Sequence, residues 1–347
     1  MAKELVDLKG LTPFEIERLC TEQLGQKPGQ GIRVAIRLYR EKVEMFDGMV
    51  DLNRVLREEL KQRCMISSVA IEQRSASDDG TVKLLYRLSD NNTIEGVLIP
   101  GPDGRCTLCV SSQVGCASGC GFCLTGSSGL MRNLTVAEMV NQVFAAQKIA
   151  SSPLTNIVLM GTGEPLANYE AVKSFVEILT DQNGMGYSPK KVTLSTCGLA
   201  PAIERMANEI KASLAVSLNA TTDEVRDRIM PINKTYPLAR LIQALRCYSA
   251  KTGRTVTIEY VLFKGVNDSD KDANLLMELL KGLPCMINVL MFNSFPGAAF
   301  EPPDEERVYA FRNILLNNGF VAVVRNSRGR DIHAACGQLK AAQSRIL

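Results

Sequence analysis

Three cysteines, Cys116, Cys120 and Cys123, lie within one short glycine-rich segment. The segment follows an apolar run that predicts a β-strand, and its spacing is C-x3-C-x2-C. Thiolates are soft ligands that suit iron–sulfur clusters. A structural zinc ion usually takes four ligands, and no second cysteine motif with zinc spacing follows. The motif therefore predicts a four-iron cluster in which one iron has no protein ligand.

Composition agrees with a reducing environment. The chain has 347 residues and 11 cysteines, too few for a disulfide-stapled scaffold, and grouped cysteines in the cytosol indicate metal or redox chemistry. The one histidine, His333, argues against a Ser–His–Asp hydrolase or a multi-histidine metal site. We expect a cytoplasmic protein without membrane contact, since no secretory signal or membrane-length apolar run is found. The net charge of +3 permits nucleic acid as a partner.

The predicted elements divide the chain into three parts. Residues 1–65 predict a small helical domain, and residues 66–100 predict a strand-rich connector with a turn at Asp78-Asp79-Gly80. Residues 101–347 alternate apolar runs with amphipathic helices, which predicts an α/β fold with parallel strands. A closed or partial barrel fits better than a flat sheet, because the Rossmann glycine fingerprint is absent. The six runs are Thr107–Ser111, Asn156–Met160, Lys191–Thr196, Ser213–Leu218, Val256–Phe263 and Ile287–Phe292.

Small or polar residues follow several of these runs, at the barrel edge where chemistry is usually found. In MGTGEP, small residues let a ligand approach the backbone, and the glutamate is an acceptor for an ammonium group. Hydrogen-bonding side chains at the ends of the third, fourth and sixth runs suit ribose, adenine and carboxylate groups. Taken singly, each is more often a cap or turn residue. Together they predict a cofactor site made by Gly163, Glu164, Ser195, Ser217, Leu218, Asn219 and Asn293.

Two further cysteines differ from the rest. Cys109 lies in the first predicted barrel strand, and Cys336 lies near the C-terminus among glycines and the basic residues Arg325, Arg328 and Arg330. A buried lone cysteine is usually a small hydrophobe. Cationic surroundings, however, favour the thiolate, which is the nucleophilic form. Cys336 is therefore a candidate nucleophile.

Eight sequence strings, spread over about residues 95–340, carry a family resemblance. They are LCVSSQVGC, GFC, MGTGEPL, VTLSTCG, RDRIMPINKTYPL, VTIEYVL, NSFPG and RGRDIHAACGQL. The cysteine motif, with an aromatic residue before its last cysteine, resembles the radical S-adenosylmethionine superfamily, whose fold is a partial (β/α)6 barrel. The whole set is similar to the RlmN/Cfr family, which methylates an adenine ring carbon in RNA. The N-terminal region is similar, less specifically, to that family's small accessory domain.

The resemblance implies the cofactors and the reaction. A [4Fe-4S] cluster on the three motif cysteines binds S-adenosylmethionine through its open iron, and two cofactor molecules are used per turnover. One methylates Cys336 to S-methylcysteine. The second is cleaved reductively to a radical that takes a hydrogen atom from this methyl group, and the resulting carbon bonds to the adenine in a transient protein–RNA adduct. Cys109 then attacks the Cys336 sulfur, which frees the product and leaves a disulfide.

Glu95 matches the glutamate that serves as the base in the RlmN branch, where the Cfr branch resembles this segment with glutamine. This favours methylation at C2 over C8. The alignment needs one inserted residue in the turn Gly101–Gly104, and a surface glutamate at a strand edge is the other interpretation. The fourth-strand motif reads SLNA instead of the family's usual SLHA, so Asn219 forms hydrogen bonds but does not titrate.

The RlmN branch implies adenosine 2503 of 23S rRNA and adenosine 37 of certain tRNAs as targets. It also implies an electron donor such as flavodoxin, and we expect a monomer. Three alternatives stay open: a C8 methyltransferase of the Cfr type, a radical oxidoreductase or activase without methylcysteine, and a non-catalytic Fe–S RNA-binding regulator. The methylated nucleoside that forms distinguishes a C8 methyltransferase from a C2 methyltransferase. Turnover by a variant without Cys336 would indicate the oxidoreductase or activase. Absence of cofactor cleavage would indicate the third.

Overall fold

The N-terminal part of the chain is mainly helical in this computed structural model, which describes residues 5–339. Its elements are β1 (Val6–Asp7), α1 (Pro13–Arg18), α2 (Gln30–Tyr39), α3 (Arg54–Arg63) and β2 (Cys64–Met65). β1 and β2 pair in parallel, so the two ends of this region lie side by side. A capping box starts α1: the Thr12 hydroxyl accepts from the Glu15 N–H, and the Glu15 carboxylate accepts from the Thr12 N–H.

Three antiparallel strands follow. They are β3 (Ala70–Ala76), β4 (Val82–Arg87) and β5 (Thr93–Pro100). The predicted turn at Asp78-Asp79-Gly80 connects β3 to β4, and Gly80 has a φ of +82°, which favours glycine. β5 pairs antiparallel with β6 (Cys106–Cys109). These strands therefore extend the main sheet, and they place Glu95 next to the strand that carries Cys109.

The three motif cysteines belong to a loop, residues 116–123, between two short strands. These strands, β7 (Gln113–Gly115) and β8 (Leu130–Asn133), form an antiparallel hairpin. Gly115 has a φ of +81°, and a Cβ atom there would lie 1.9 Å from the Gly129 carbonyl oxygen, so only glycine fits at the start of this cysteine loop. After β8 the chain enters α4 (Val136–Ile149).

Strands and helices alternate in the rest of the described chain. They are β9 (Asn156–Leu159), α5 (Tyr169–Thr180), β10 (Val192–Thr196), α6 (Ala200–Glu209), β11 (Ser213–Ser217), α7 (Asp223–Ile229), α8 (Leu238–Thr252), β12 (Val256–Leu262), α9 (Asp270–Leu280), β13 (Cys285–Met291), α10 (Glu305–Asn317) and β14 (Ala322–Val324). Within residues 5–339 the main sheet has the order β14-β13-β12-β11-β10-β9-β6-β5-β4-β3, and the strands from β6 to β14 run parallel. The predicted α/β class and partial barrel are confirmed.

The first and the last parallel strands of the barrel differ from the sequence-based expectation. The first barrel strand stops at Cys109 instead of Ser111, because the Ser111 N–H turns away to donate to Gln142 Oε1 at 2.9 Å. β14 adds an unpredicted seventh parallel strand beside β13. Three residues are too few to show a periodic pattern.

Buried aliphatic side chains fill the space between the sheet and its helices. Adjacent strands contribute Leu159, Leu194, Val216, Ile258 and Val289, each almost fully buried. Burying one such side chain contributes about 1.5–3 kcal/mol, so this core fixes the strands and the positions of their carboxyl ends. Among residues 5–339, no helix is long and apolar enough to span a membrane.

Candidate active site

A cavity opens at the carboxyl edge of the parallel strands. The predicted site residues that line it are Cys116, Cys120, Cys123, Gly163, Glu164, Ser195, Ser217, Asn293 and Cys336. Four other predicted site residues lie outside this lining: Glu95, Cys109, Leu218 and Asn219. The fold thus brings the motif cysteines, most of the predicted cofactor contacts and Cys336 into one space.

Backbone hydrogen bonds fix the cysteine loop. The Cys116 N–H donates to the Gly129 carbonyl at 2.8 Å and closes the hairpin, and the Gly121 N–H donates to the Ile229 carbonyl at 2.9 Å, at the end of α7. The Cys123 N–H donates to the Cys120 carbonyl at 3.1 Å in a tight turn. The three thiols are therefore carried by a backbone that is held before any metal binds.

Burial disfavours the thiolate form of two loop cysteines, Cys116 and Cys120. It raises the pKa of Cys116, and it raises that of Cys120 further, with the neighbouring thiols of Cys123 and Cys116 adding to the effect. Positive charge from a metal centre replaces these protons, so metal binding releases them. Phe122 packs on Phe263 with ring centroids 5.6 Å apart, which gives the loop an apolar cover.

The loop suits a multi-iron cluster better than a single ion. Within residues 5–339, no three His, Cys, Asp or Glu side chains are grouped closely enough to bind one metal ion. In a cluster, separate irons take separate thiolates, so the ligands need not converge on one point. Three soft donors on one loop in a cavity wall meet that requirement.

Glu164 is buried in the cavity wall, and backbone donors orient its carboxylate. Oε2 accepts from the Cys197 N–H at 2.7 Å, and Oε1 accepts from the Leu166 N–H at 3.0 Å. Burial raises the pKa of Glu164, and these hydrogen bonds oppose the shift. The carboxylate lines the cavity and is an acceptor of the kind that an ammonium group needs.

Gly163 allows the chain to approach β7 closely. Its φ is +108°, and a Cβ atom there would lie 2.6 Å from the Gln113 Cβ. The Gln113 side chain also accepts from the Glu164 N–H at 2.8 Å. Only glycine meets both constraints, and this fixes the backbone that carries Glu164.

Asn293 presents an unsatisfied acceptor to the cavity. Its Oδ1 is buried and has no hydrogen-bond partner among the described residues, while its Nδ2 donates to the Cys336 carbonyl at 3.1 Å. An unpaired buried acceptor costs about 1–3 kcal/mol. A hydroxyl or amino group of a bound cofactor satisfies it. Ser195 and Ser217 add two hydroxyl groups to the same wall.

Leu218 and Asn219 lie behind the wall instead of in it. Asn219 has a φ of +58°, and its Oδ1 accepts from the Val261 N–H at 2.9 Å on β12. The Leu218 carbonyl accepts from Arg226 Nε at 3.0 Å. Both residues are fully buried, so their polar groups serve the fold, and the side chain that replaces the family's usual histidine holds a neighbouring strand.

Cys336 lines the cavity, and Cys109 lies behind the lining, against the chain just before Cys336. Cys336 is exposed and lines the cavity, whereas Cys109 on β6 is buried and packs in an apolar cluster with Ala334. Burial raises the pKa of Cys109 to about 12, nearby Cys336 adds to the shift, and Arg325 opposes it. The C-terminal stretch that carries Cys336 thus packs against β6, which carries Cys109.

An ion pair between a partly exposed arginine and a buried glutamate lies beside Cys336. Arg325 follows β14, and its Nη1 lies 3.8 Å from Glu259 Oε1, which also accepts from Asn288 Nδ2 at 2.9 Å. The proximity of Cys336 is the main reason that the pKa of Arg325 is raised. Sequence reasoning identified Arg325 but missed Glu259. The available signal was one charged residue inside the apolar strand VTIEYVL, since charged residues are seldom buried unpaired.

Arg226 was also missed by sequence reasoning. It is fully buried, and its guanidinium donates to the carbonyls of Cys197 at 2.8 Å, Ser217 at 3.2 Å and Leu218 at 3.0 Å. These bonds tie the ends of β10 and β11 together. Arg226 is the first residue of the string RDRIMPINK, which was noted in the sequence. The carbonyls that accept its hydrogen bonds belong to other segments, so the string alone does not reveal them.

Glu95 lies on β5 near the C-terminal segment, residues 325–339, which carries Cys336. Its Oε1 lies 3.3 Å from Lys83 Nζ, and the same ammonium donates to the His333 carbonyl at 3.3 Å. The Glu95 carbonyl accepts from the Ser111 hydroxyl at 2.6 Å. Glu95 is buried. Lys83 links it to His333, which lies three residues before Cys336 in the chain.

Several known proteins are similar to this chain over nearly its whole length. A model described as the Radical SAM superfamily matches residues 110–276. The dual-specificity RNA methyltransferase RlmN of Syntrophotalea carbinolica is 49% identical over 335 residues, which covers 96% of this chain and 90% of the relative. The chain belongs to the RlmN family. The RlmN protein of Geobacter sulfurreducens is 46% identical, over 97% of this chain and 92% of its own length.

A solved structure agrees with the RlmN assignment. The crystal structure of a radical SAM methyltransferase from Sphaerobacter thermophilus superposes with a TM-score of 0.89 at 45% identity, covering 96% of this chain and 99% of that one. The family resemblance inferred from the motifs is confirmed. As an RlmN-family member, the chain is a radical S-adenosylmethionine methyltransferase that uses a [4Fe-4S] cluster and S-adenosylmethionine.

Proposed function

We propose that this chain methylates C2 of adenosine in 23S rRNA and tRNA, with Cys336 as the methyl carrier. The relatives are named as dual-specificity RNA methyltransferases, which supports RNA as the substrate class. The observation that carries the proposal is the position of Cys336, an exposed thiol in the same cavity as the three motif cysteines and Glu164. The methyl source and its acceptor then share one space.

When bound, the cluster and S-adenosylmethionine supply a methyl group and the one-electron chemistry that makes it reactive toward an aromatic carbon. The Cys336 sulfur accepts the methyl group, and the Arg325 side chain lines the cavity beside it. Glu164 would accept a hydrogen bond from the amino group of the cofactor, and Asn293 Oδ1 would accept one from a hydroxyl or amino group of the cofactor. The target base leaves its stack to enter the cavity.

Cys109 releases the product. Its sulfur attacks the Cys336 sulfur, an S–S bond forms, and the bond from Cys336 to the methylene carbon breaks. The electron pair of that bond stays with the carbon, which takes up a proton to become the product methyl group. The two cysteines are left as a disulfide, which a thiol reductant must reduce before the next turnover.

Glu95 takes the ring proton. Its carboxylate is held near the C-terminal segment by Lys83. A carboxylate at this position, instead of an amide, supports C2 chemistry over the C8 chemistry of the Cfr type. An external one-electron donor, such as flavodoxin, completes the system.

The test is nucleoside mass spectrometry on RNA treated with the anaerobically reconstituted enzyme, S-adenosylmethionine and a reductant. We expect 2-methyladenosine with wild type and with the control Cys247→Ala, a cysteine on α8 away from the cavity, and none with Cys336→Ala or Cys116→Ala. 8-Methyladenosine would reject the C2 assignment. Formation of 5′-deoxyadenosine without any methylated adenosine would reject the RNA substrate.

A further inference from the structure

The C-terminal segment contains neither helix nor strand, so its contacts decide where Cys336 lies. One set of contacts joins it to the cavity. The Leu124 N–H donates to the Gly337 carbonyl at 2.8 Å, and the Thr125 hydroxyl donates to the Leu339 carbonyl at 2.6 Å. These bonds hold only the part of the segment at and beyond Cys336.

The β3–β4 hairpin holds the part before Cys336. At its turn, Asp79 Oδ1 accepts from the Thr81 N–H at 2.9 Å, and Oδ2 accepts from the Gly329 N–H at 3.0 Å. Gly329 has a φ of +65°, and a Cβ atom there would lie 2.9 Å from Thr81 Cγ2, so the two backbones are in close contact. Asp79 thus bridges the hairpin turn and the C-terminal segment.

Two further contacts reinforce this bridge. Lys83 on β4 donates to the His333 carbonyl and also contacts Glu95, both at 3.3 Å. The Ser77 hydroxyl donates to Asp331 Oδ1 at 2.6 Å. The hairpin therefore contacts the segment at three successive points, and one of its lysines also holds the residue proposed as the base.

We propose that Asp79 and Lys83 are positioning residues that hold the C-terminal segment so that the Cys336 thiol stays within reach of Cys109. The inference rests on the proposed function, in which these two cysteines act as a pair. A segment without its own secondary structure gains conformational freedom when an anchor is removed, and the effective concentration of its thiol at Cys109 falls. The hairpin then belongs to the reaction machinery, although it lies outside the barrel's β/α units.

The experiment measures that effective concentration in the full-length holoenzyme. The enzyme is equilibrated anaerobically with mixtures of reduced and oxidised glutathione, and the Cys109–Cys336 disulfide is quantified by peptide mass spectrometry after acid quenching. Two cysteine thiols give up two electrons and two protons, and one oxidised glutathione becomes two reduced ones. We expect Asp79→Ala and Lys83→Met to lower the effective concentration by about tenfold or more.

Matched controls separate positioning from general damage. Asp78→Ala removes the exposed neighbouring carboxylate and should behave as wild type, and Lys83→Arg should restore most of the loss. Hydrogen exchange over residues 326–338 gives a second readout that does not depend on the disulfide. Exchange should be faster than wild type in Asp79→Ala and unchanged in Asp78→Ala. Thermal melting and iron content confirm that each variant is folded and loaded.

The outcomes are distinct. Wild-type disulfide equilibria and wild-type exchange in Asp79→Ala and Lys83→Met would overturn the positioning role. If the wild-type enzyme forms no Cys109–Cys336 disulfide at any glutathione ratio, the pairing in the proposed function fails, and the inference built on it fails too. Accelerated exchange, together with a weakened disulfide, supports it.

Discussion

The backbone N–H of Cys197 donates a hydrogen bond of 2.7 Å to the Glu164 carboxylate. This bond connects the end of β10 to the turn after β9, so the carboxylate is oriented by the sheet before a ligand arrives. Little orientational freedom is then lost when the carboxylate binds an ammonium group. The affinity for S-adenosylmethionine should depend on the charge of this one side chain.

Glu164→Gln should weaken S-adenosylmethionine binding by about tenfold or more, because a charge-assisted hydrogen bond becomes a neutral one. Iron content should not change, since the carboxylate is not a proposed cluster ligand. Equilibrium binding of labelled cofactor to the holoenzyme measures the effect. Glu170→Gln, an exposed carboxylate on α5 that pairs with Arg205, is the control. Equal affinity in wild type and Glu164→Gln would remove Glu164 from the cofactor site.

Cys109→Ala should trap the enzyme on its RNA. Without the attacking thiol the bond from Cys336 to the methylene carbon persists, and a covalent protein–RNA complex should accumulate. Denaturing electrophoresis with labelled RNA detects it. Cys106→Ala, at a buried cysteine on the same strand, should turn over as wild type. Free product from Cys109→Ala at the wild-type rate would contradict the release step.

Alkylation of Cys109 should continue to accelerate at high pH. Burial disfavours the thiolate and raises the pKa of Cys109 to about 12. The thiolate fraction therefore rises about tenfold per pH unit up to that value, whereas an ordinary cysteine with a pKa of about 8.5 is fully ionised well before it. Peptide mass spectrometry after short exposures to iodoacetamide gives the rates. A plateau near pH 9 would show that burial does not control this thiol.

Arg226→Met should lower the free energy of unfolding by about 3 kcal/mol or more, because it leaves buried carbonyls on two strands without a donor. Burial opposes the charge of Arg226 and lowers its pKa, yet the side chain makes several hydrogen bonds to strand ends. Thermal or denaturant unfolding measures the change. Arg228→Met, at an exposed position on the same helix, should cost little. Similar stability for the two variants would contradict this role of Arg226.

Features that depend on local sequence could be predicted. The six central strands and the cysteine loop follow from short-range patterns of apolar residues and glycine. Leu218 and Asn219 lie outside the cavity lining for geometric reasons. Leu218 follows Ser217 in an extended chain and so points to the opposite face, and Asn219, with a φ of +58°, leaves the extended conformation. A motif match alone does not contain that information.

Features that depend on distant partners could not be predicted. Arg226 donates to carbonyls at the ends of other strands, and Glu259 meets Arg325 across two strands. Cys109 and Cys336 were paired through family resemblance, because the sequence alone does not reveal which thiols meet. The contacts of the hairpin turn with the C-terminal segment also escaped notice, since a turn motif predicts its own shape and not what packs against it.

The bond between Asp79 and Gly329 joins residues 250 positions apart. Contacts of such long sequence separation form late in folding, and a ribosome makes the C-terminal residues last. During synthesis, the cysteine loop and the barrel strands are complete while the wall containing Cys336 does not yet exist. The loop thiols are therefore synthesised before the segment that closes one side of their cavity, and they are most open to solvent until that segment packs against the hairpin.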